Sequence, residues 1–224
     1  MRLLLVGPGR RALAAAAARR ALATTSGDWA GCAEVAAFAR SLETHVEIVE
    51  AVAAARGAAG YASPCPVVGA SVGAHVRHSL EHARCVADAV ASLRGGGAGG
   101  GGEPPLVPYD ARARSAELET DPARAVAYAR DCRDAVVLGG GSGGGGLAAL
   151  DAPVLAAFAL SPDDADDTPL ASTIARELAF AAHHATHHFA MIDLIARGHL
   201  DMDVGRGLGK APATARHEGG GGGR

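Results

Sequence analysis

Four of the chain's ten histidines, His183, His184, His187 and His188, fall within six residues of a stretch, Arg176 to Ile192, that otherwise reads as a helix. Residues four apart stack on one face of a helix, so His184 and His188 aim two imidazoles at one place. At about 100° per residue, Glu177 lies within roughly 20° of both, and Ile195 continues the stripe. A carboxylate and two imidazoles among apolar flanks are the donor and proton-transfer groups of a metal site facing a bundle interior. His183 and His187 form a second pair, turned by about 100° from the first, and only one pair can face inward. Glu177, Ile174 and Ile195 favour the face of His184 and His188. Taken singly, each histidine also has a plainer role as a hydrogen-bonded core or boundary residue.

Such a site needs facing helices to complete it. At 224 residues the chain holds one principal domain. Hydrophobic residues make up 49%, much of it alanine, and aromatics only 4%, which favours close helix packing over a large sheet core. From Trp29 to Arg56, Val35, Phe38, Leu42, Val46, Val49 and Val52 recur at helical steps, and Gly57 is the expected stop. His45 shares that apolar face without a second ligand type, and reads as a core histidine. A second helix is expected from about Val68 to Arg94, with Val72, Val76, Ala83, Val86 and Val90 as its stripe. His75, His78 and His82 lie along one flank of it; periodicity ranks His75 and His82 as the inward pair and leaves His78 at the margin.

Thr120-Asp121-Pro122 supplies an N-cap acceptor and an early helical proline, starting a third helix that reaches about Asp134. The histidine helix is expected from about Pro169 or Ser172 to Arg197, with Gly198 as its cap. Between these, the proline-rich run Glu103 to Tyr109 must be extended. Val154 to Leu160 reads as a strand or extended run, and Ser161 to Asp167 as a solvated acidic turn. Tyr109, Arg112 and Arg114 read as surface residues.

Several function classes are disfavoured. A formal charge of −3 gives no basic surface for nucleic acid, and no apolar run reaches the roughly 18 residues of a membrane span. Cys32, Cys65, Cys85 and Cys132 are widely spaced with no Cys-x-x-Cys, which fits reduced thiols in an intracellular compartment. Residues 1–27 carry Arg2, Arg10, Arg11, Arg19 and Arg20 and no acidic residue. That is the pattern of an organelle transit peptide for mitochondrion or plastid; without it the expected location is cytoplasmic. Three glycine tracts (95–102, 139–146 and 219–223) read as low-complexity linkers. The expected organisation is a transit peptide over 1–27, a helical domain over 28–217 and a glycine-rich tail over 218–224.

Four long helical segments, two of them bearing histidines, describe an all-α, antiparallel four-helix bundle with glycine-rich loop insertions, whose interior can hold metal ligands from facing helices. At this point the chain resembles the DinB/YfiT-like superfamily of bundles, described as metal-dependent hydrolases. Tyr61 with Ser71-Val72-Gly73-Ala74-His75-Val76-Arg77-His78-Ser79-Leu80-Glu81-His82 is similar to its second-helix pattern. Tyr109 to Arg114 followed by Glu117, Glu119 and Asp121 resembles its middle segment. Arg176-Glu177-Leu178 with His184-Ala185-Thr186-His187-His188 resembles its late-helix signature, and Gly209-Lys210-Ala211-Pro212-Ala213-Thr214 its tail. The likeness spans roughly residues 29–217. His183 departs from it, since relatives tend to carry Glu or Ser there.

Carried over residue by residue, the resemblance implies His78, His184 and His188 as metal ligands and His187 as a pocket residue beside them. Three neutral imidazoles without thiolate suit Zn²⁺, Ni²⁺, Fe²⁺ or Mn²⁺, and three protein ligands leave a position open, as in catalytic sites. A water there would ionise near about pH 7, or a thiol would bind as thiolate. Glu177 is placed to orient a ligand or accept a proton; its other reading is a buried partner for an arginine such as Arg77. The expected function is metal-dependent hydrolysis of a small molecule, or transfer using a low-molecular-weight thiol, as the resemblance to bacillithiol- and mycothiol-using relatives implies. The alternative class is a non-catalytic, stress-related metal-binding bundle. Bundles of this kind often pair, which allows a homodimer.

Overall fold

A computed structural model describes residues 32–95, 103–111, 113–138, 150–205 and 207–220. The expected transit segment, residues 96–102 of the first glycine tract and all of the second lie outside these residues, as does Arg112. The elements run α1 (Ala33–Tyr61), α2 (Val72–Gly95), β1 (Leu106–Pro108), α3 (Ala116–Thr120), α4 (Pro122–Val137), β2 (Pro153–Phe158), β3 (Thr168–Thr173), α5 (Ile174–Gly198) and α6 (Pro212–Gly220). The last helix reaches into the stretch read as a glycine-rich tail.

The four long helices supply most of the packing: α1 lies against α4 and α5, and α2 against α4 and α5. Their apolar faces meet in one core that includes Phe38, Leu42, Leu80, Ile174, Leu178, Ile192 and Ile195, each almost fully buried. Alanines at Ala83, Ala87, Ala125, Ala129, Ala181 and Ala185 are also buried, so the helices approach closely, as the low aromatic content requires.

Local signals set several boundaries. Asp121 caps α4, its carboxylate accepting from the amides of Ala123 (2.9 Å) and Arg124 (3.3 Å), with Pro122 at the first position. Gly57 does not stop α1 but bends it: at φ 66°, ψ −177° it breaks the helical path, and the helix resumes as far as Tyr61. The Tyr61 hydroxyl then donates to the Leu118 carbonyl at 2.8 Å, tying α1 to α3. At the other end of the chain, Gly209 has φ +76°, and a Cβ there would fall 2.3 Å from the Ala190 amide. Only glycine lets this turn lie against the backbone of α5.

The chain is not all-α. A three-stranded sheet, ordered β1-β2-β3, pairs β1 with β2 in parallel and β2 with β3 antiparallel. Val107 lies opposite Ala156, and Leu155 opposite Ala171. The prolines around β1 exclude a helix there, and the apolar run of β2 gains ladder hydrogen bonds on both sides. The histidine helix starts later than expected for the same reason: Pro169 and Ser172 belong to β3. Thr173 ends the strand and caps α5, its hydroxyl accepting from the Arg176 amide at 3.3 Å. The sheet thereby delivers Tyr109, just beyond β1, and Ser172 to the first turn of α5.

Candidate metal centre

Packing α2 against α5 brings the histidines of the two helices together. His78, His82 and His184 each offer a ring nitrogen, and these three atoms lie within 4.8 Å of one another. Among the described residues, this is the group of three or more potential ligand side chains that converges in this way. The His82 and His184 rings stack at 4.2 Å between centroids, His78 lies 4.5 Å from His82 and 5.2 Å from His184. His82 is buried, and His78 and His184 are half-buried.

The rings are oriented by named partners. His82 Nδ1 lies 2.9 Å from the His78 carbonyl; a carbonyl only accepts, so Nδ1 carries the proton and the lone pair is on Nε2. Metal-ligating histidines are fixed by this kind of N–H to carbonyl bond. His188, 7% exposed, adjoins the group: its Nε2 is 3.0 Å from His184 Nε2 and its Nδ1 3.0 Å from His75 Nδ1. Burial, then the neighbouring His184, His78, His75 and His187 imidazoles, push the His188 pKa down to about 2. Burial first, and His187 second, lower His75 as well. At neutral pH both rings are therefore uncharged, the form in which imidazole binds metal.

An aromatic wall closes one side. Tyr109, 2% exposed, stacks on His82 at 5.1 Å and 22°, and meets Phe180 edge-on at 5.3 Å. Phe180 in turn stacks on His184 at 5.9 Å, and the Arg176 guanidinium lies over the Phe180 ring, 4.9 Å from its centroid. Glu177 is fully buried in the first turn of α5 and anchors the wall. One carboxylate oxygen accepts from the Tyr109 hydroxyl at 2.5 Å. The other accepts from the Ser172 hydroxyl and from Arg176 Nη1, the latter at 2.7 Å. The helix N-terminus adds favourable potential for the anion. Burial first, and the Glu177 carboxylate second, push the Tyr109 phenol far above its usual range, so it stays a hydrogen-bond donor.

Of the expected ligands, His78 and His184 belong to the converging group and His188 lies beside it. His82, which periodicity ranked inward, completes the group. His187 is exposed, with its ring 5.3 Å from His188, and His183 is exposed in a groove lined by residues of α1 and α5. The arginine beside Glu177 is its neighbour Arg176, whereas Arg77 pairs with Glu119 at 3.2 Å. Tyr109 was read as a surface residue; the available signal was an aromatic closing the extended apolar run Leu106-Val107-Pro108. His45 is buried in the core, donates from Nδ1 to the Ser41 carbonyl at 2.7 Å and packs on Phe189.

The donor set fits a borderline divalent ion: three imidazoles, at least one with its tautomer set by a backbone carbonyl. Nitrogens about 2.0–2.1 Å from a shared ion are at most about 4.2 Å apart, so side-chain shifts on the order of an ångström close the group. Comparison with protein-family models, curated proteins and solved structures found no match. The likeness to DinB/YfiT-like bundles therefore rests on the sequence motifs. No described helix is long and apolar enough to cross a membrane.

Proposed function

We propose that this chain binds a divalent metal ion through His78, His82 and His184, in a helical bundle of the DinB/YfiT-like kind. We infer that it uses the ion in hydrolysis of a small molecule or in transfer involving a low-molecular-weight thiol. The convergence of the three ring nitrogens within 4.8 Å carries this reading. Zn²⁺, Ni²⁺, Fe²⁺ and Mn²⁺ all suit imidazole donors. When bound, the ion supplies a Lewis acid that polarises an oxygen or stabilises a thiolate. The chain's own residues do the rest. Tyr109 and Phe180 exclude water from one side of the imidazoles, and Glu177, with its two oxygens engaged by three donors, holds Tyr109 in place.

One observation favours the second reading, a non-catalytic metal-binding protein. His188 Nε2 lies 3.0 Å from His184 Nε2, and a fourth imidazole on a tetrahedral ion leaves no open position. Metal analysis of the purified chain, followed by hydrolase and thiol-transfer substrate panels, separates the two. Turnover that disappears in His184→Ala supports the enzyme. One ion per chain with no turnover, together with metal-dependent folding, supports the binding protein. Absence of bound metal after loading with each of the four ions overturns both.

A further inference from the structure

The imidazoles continue beyond the three that converge. His188 is their junction, with its ring centroid 4.7 Å from His78, 4.5 Å from His184, 5.3 Å from His75 and 5.3 Å from His187. Each of its two nitrogens faces another histidine nitrogen at 3.0 Å. The series runs from solvent to interior: His187 is exposed, His75 half-buried, His188 buried. His75 Nε2 is sealed from solvent and has no hydrogen-bond partner, so a ligating atom is held ready at mid-depth. The opposite flank, made of the Tyr109 and Phe180 rings, presents hydrocarbon to the same centre.

We propose that His187, His75 and His188 form a relay by which a divalent ion is taken from solvent and passed to His78, His82 and His184. An ion leaving water must exchange its bound waters for protein ligands. Imidazoles at successive depths, with His187 and His75 each in ring contact with His188, let that exchange proceed one ligand at a time instead of through a bare intermediate. The inference rests on the inner three histidines binding an ion, and it adds how the ion arrives.

Stopped-flow mixing of the full chain with Co²⁺, read by the ligand-field absorbance of the bound ion, tests it. The variants are His187→Ala, at an exposed position, His75→Gln, which keeps a hydrogen-bonding group toward His188 but no imidazole, and the two combined. A group that acts only on the path changes both rates alike. The double variant should therefore bind and release Co²⁺ roughly tenfold more slowly, with the dissociation constant altered by less than about twofold. Unchanged rates overturn the relay, and so does a weaker affinity at unchanged association rate, which would make His75 or His187 a ligand of the final site. If the wild-type chain takes up no Co²⁺, the metal centre itself falls and the relay with it.

Discussion

On α1, one histidine is buried alone; in the seam between α2 and α5, several are buried together. His45 is 1% exposed, gives its Nδ1–H to the Ser41 carbonyl and leaves Nε2 without a partner. Burial pushes its pKa down to about 4, against which the bond to Ser41 works. A neutral imidazole with one satisfied nitrogen behaves as a polar-edged core residue, at a modest cost for the orphaned one. In the seam, nitrogens meet nitrogens. His78, His82 and His184 converge, and His188 finds histidine on both edges. Rings this close would repel one another if charged, and they gain little as neutral rings alone. A shared cation would give these lone pairs a common use, so what marks the seam as a candidate site is the facing of the rings, not their burial.

That contrast can be broken most strongly at the ligands. His184→Ala or His82→Ala should weaken Zn²⁺ binding roughly a thousandfold, about 4 kcal/mol, in a calorimetric titration. His45→Ala should leave it unchanged. Equal losses from His45→Ala and His184→Ala would erase the distinction between the two interiors.

Acid should reveal His45 separately. Its folded pKa is depressed from 6.5 to about 4, so below pH 6.5 the unfolded chain takes up a proton that the folded chain refuses. Stability is then lost as pH falls from 6.5 toward 4, by about 3 kcal/mol for this one group. It does not change further below the folded pKa. Urea unfolding of His45→Leu alongside wild type should show the difference in slope across that window. Parallel pH profiles would mean that His45 is not buried as described.

A smaller effect sharpens the seam's own architecture. Tyr109→Phe keeps the ring on His82 and removes the donor to Glu177, which should cost about 1–2 kcal/mol of stability with little change in Zn²⁺ affinity. Tyr109→Leu, which also removes the ring, should weaken Zn²⁺ binding as well, by roughly tenfold if the stacked wall positions His82. An affinity indifferent to both changes would detach the wall from the metal centre.

Much of this was legible in the sequence, and the rest was hidden for physical reasons. The cap at Asp121 and the inward face of His184 and His188 follow from rules that act within one turn of helix, and both can be read from spacing. His82 could be ranked inward on its own helix, but whether it meets His78 and His184 depends on how α2 is turned against α5. Helical periodicity carries no such information. Pro169 to Thr173 suits either a first helical turn or a strand, and pairing with Pro153–Phe158 decided for the strand. Tyr109 and Glu177 are 68 residues apart. Their bond exists because β1 and β3 flank β2 in one sheet, a topology that no local pattern announces.

X-ray absorption at the metal edge of the Zn²⁺-loaded chain tests the central claim most directly, because it counts the imidazoles around the ion. The account predicts one ion per chain with at least three imidazole nitrogens at about 2.0–2.1 Å, and fewer by one in His82→Ala. A first shell of oxygen atoms without imidazole scattering, or a spectrum that His82→Ala leaves unaltered, would contradict it.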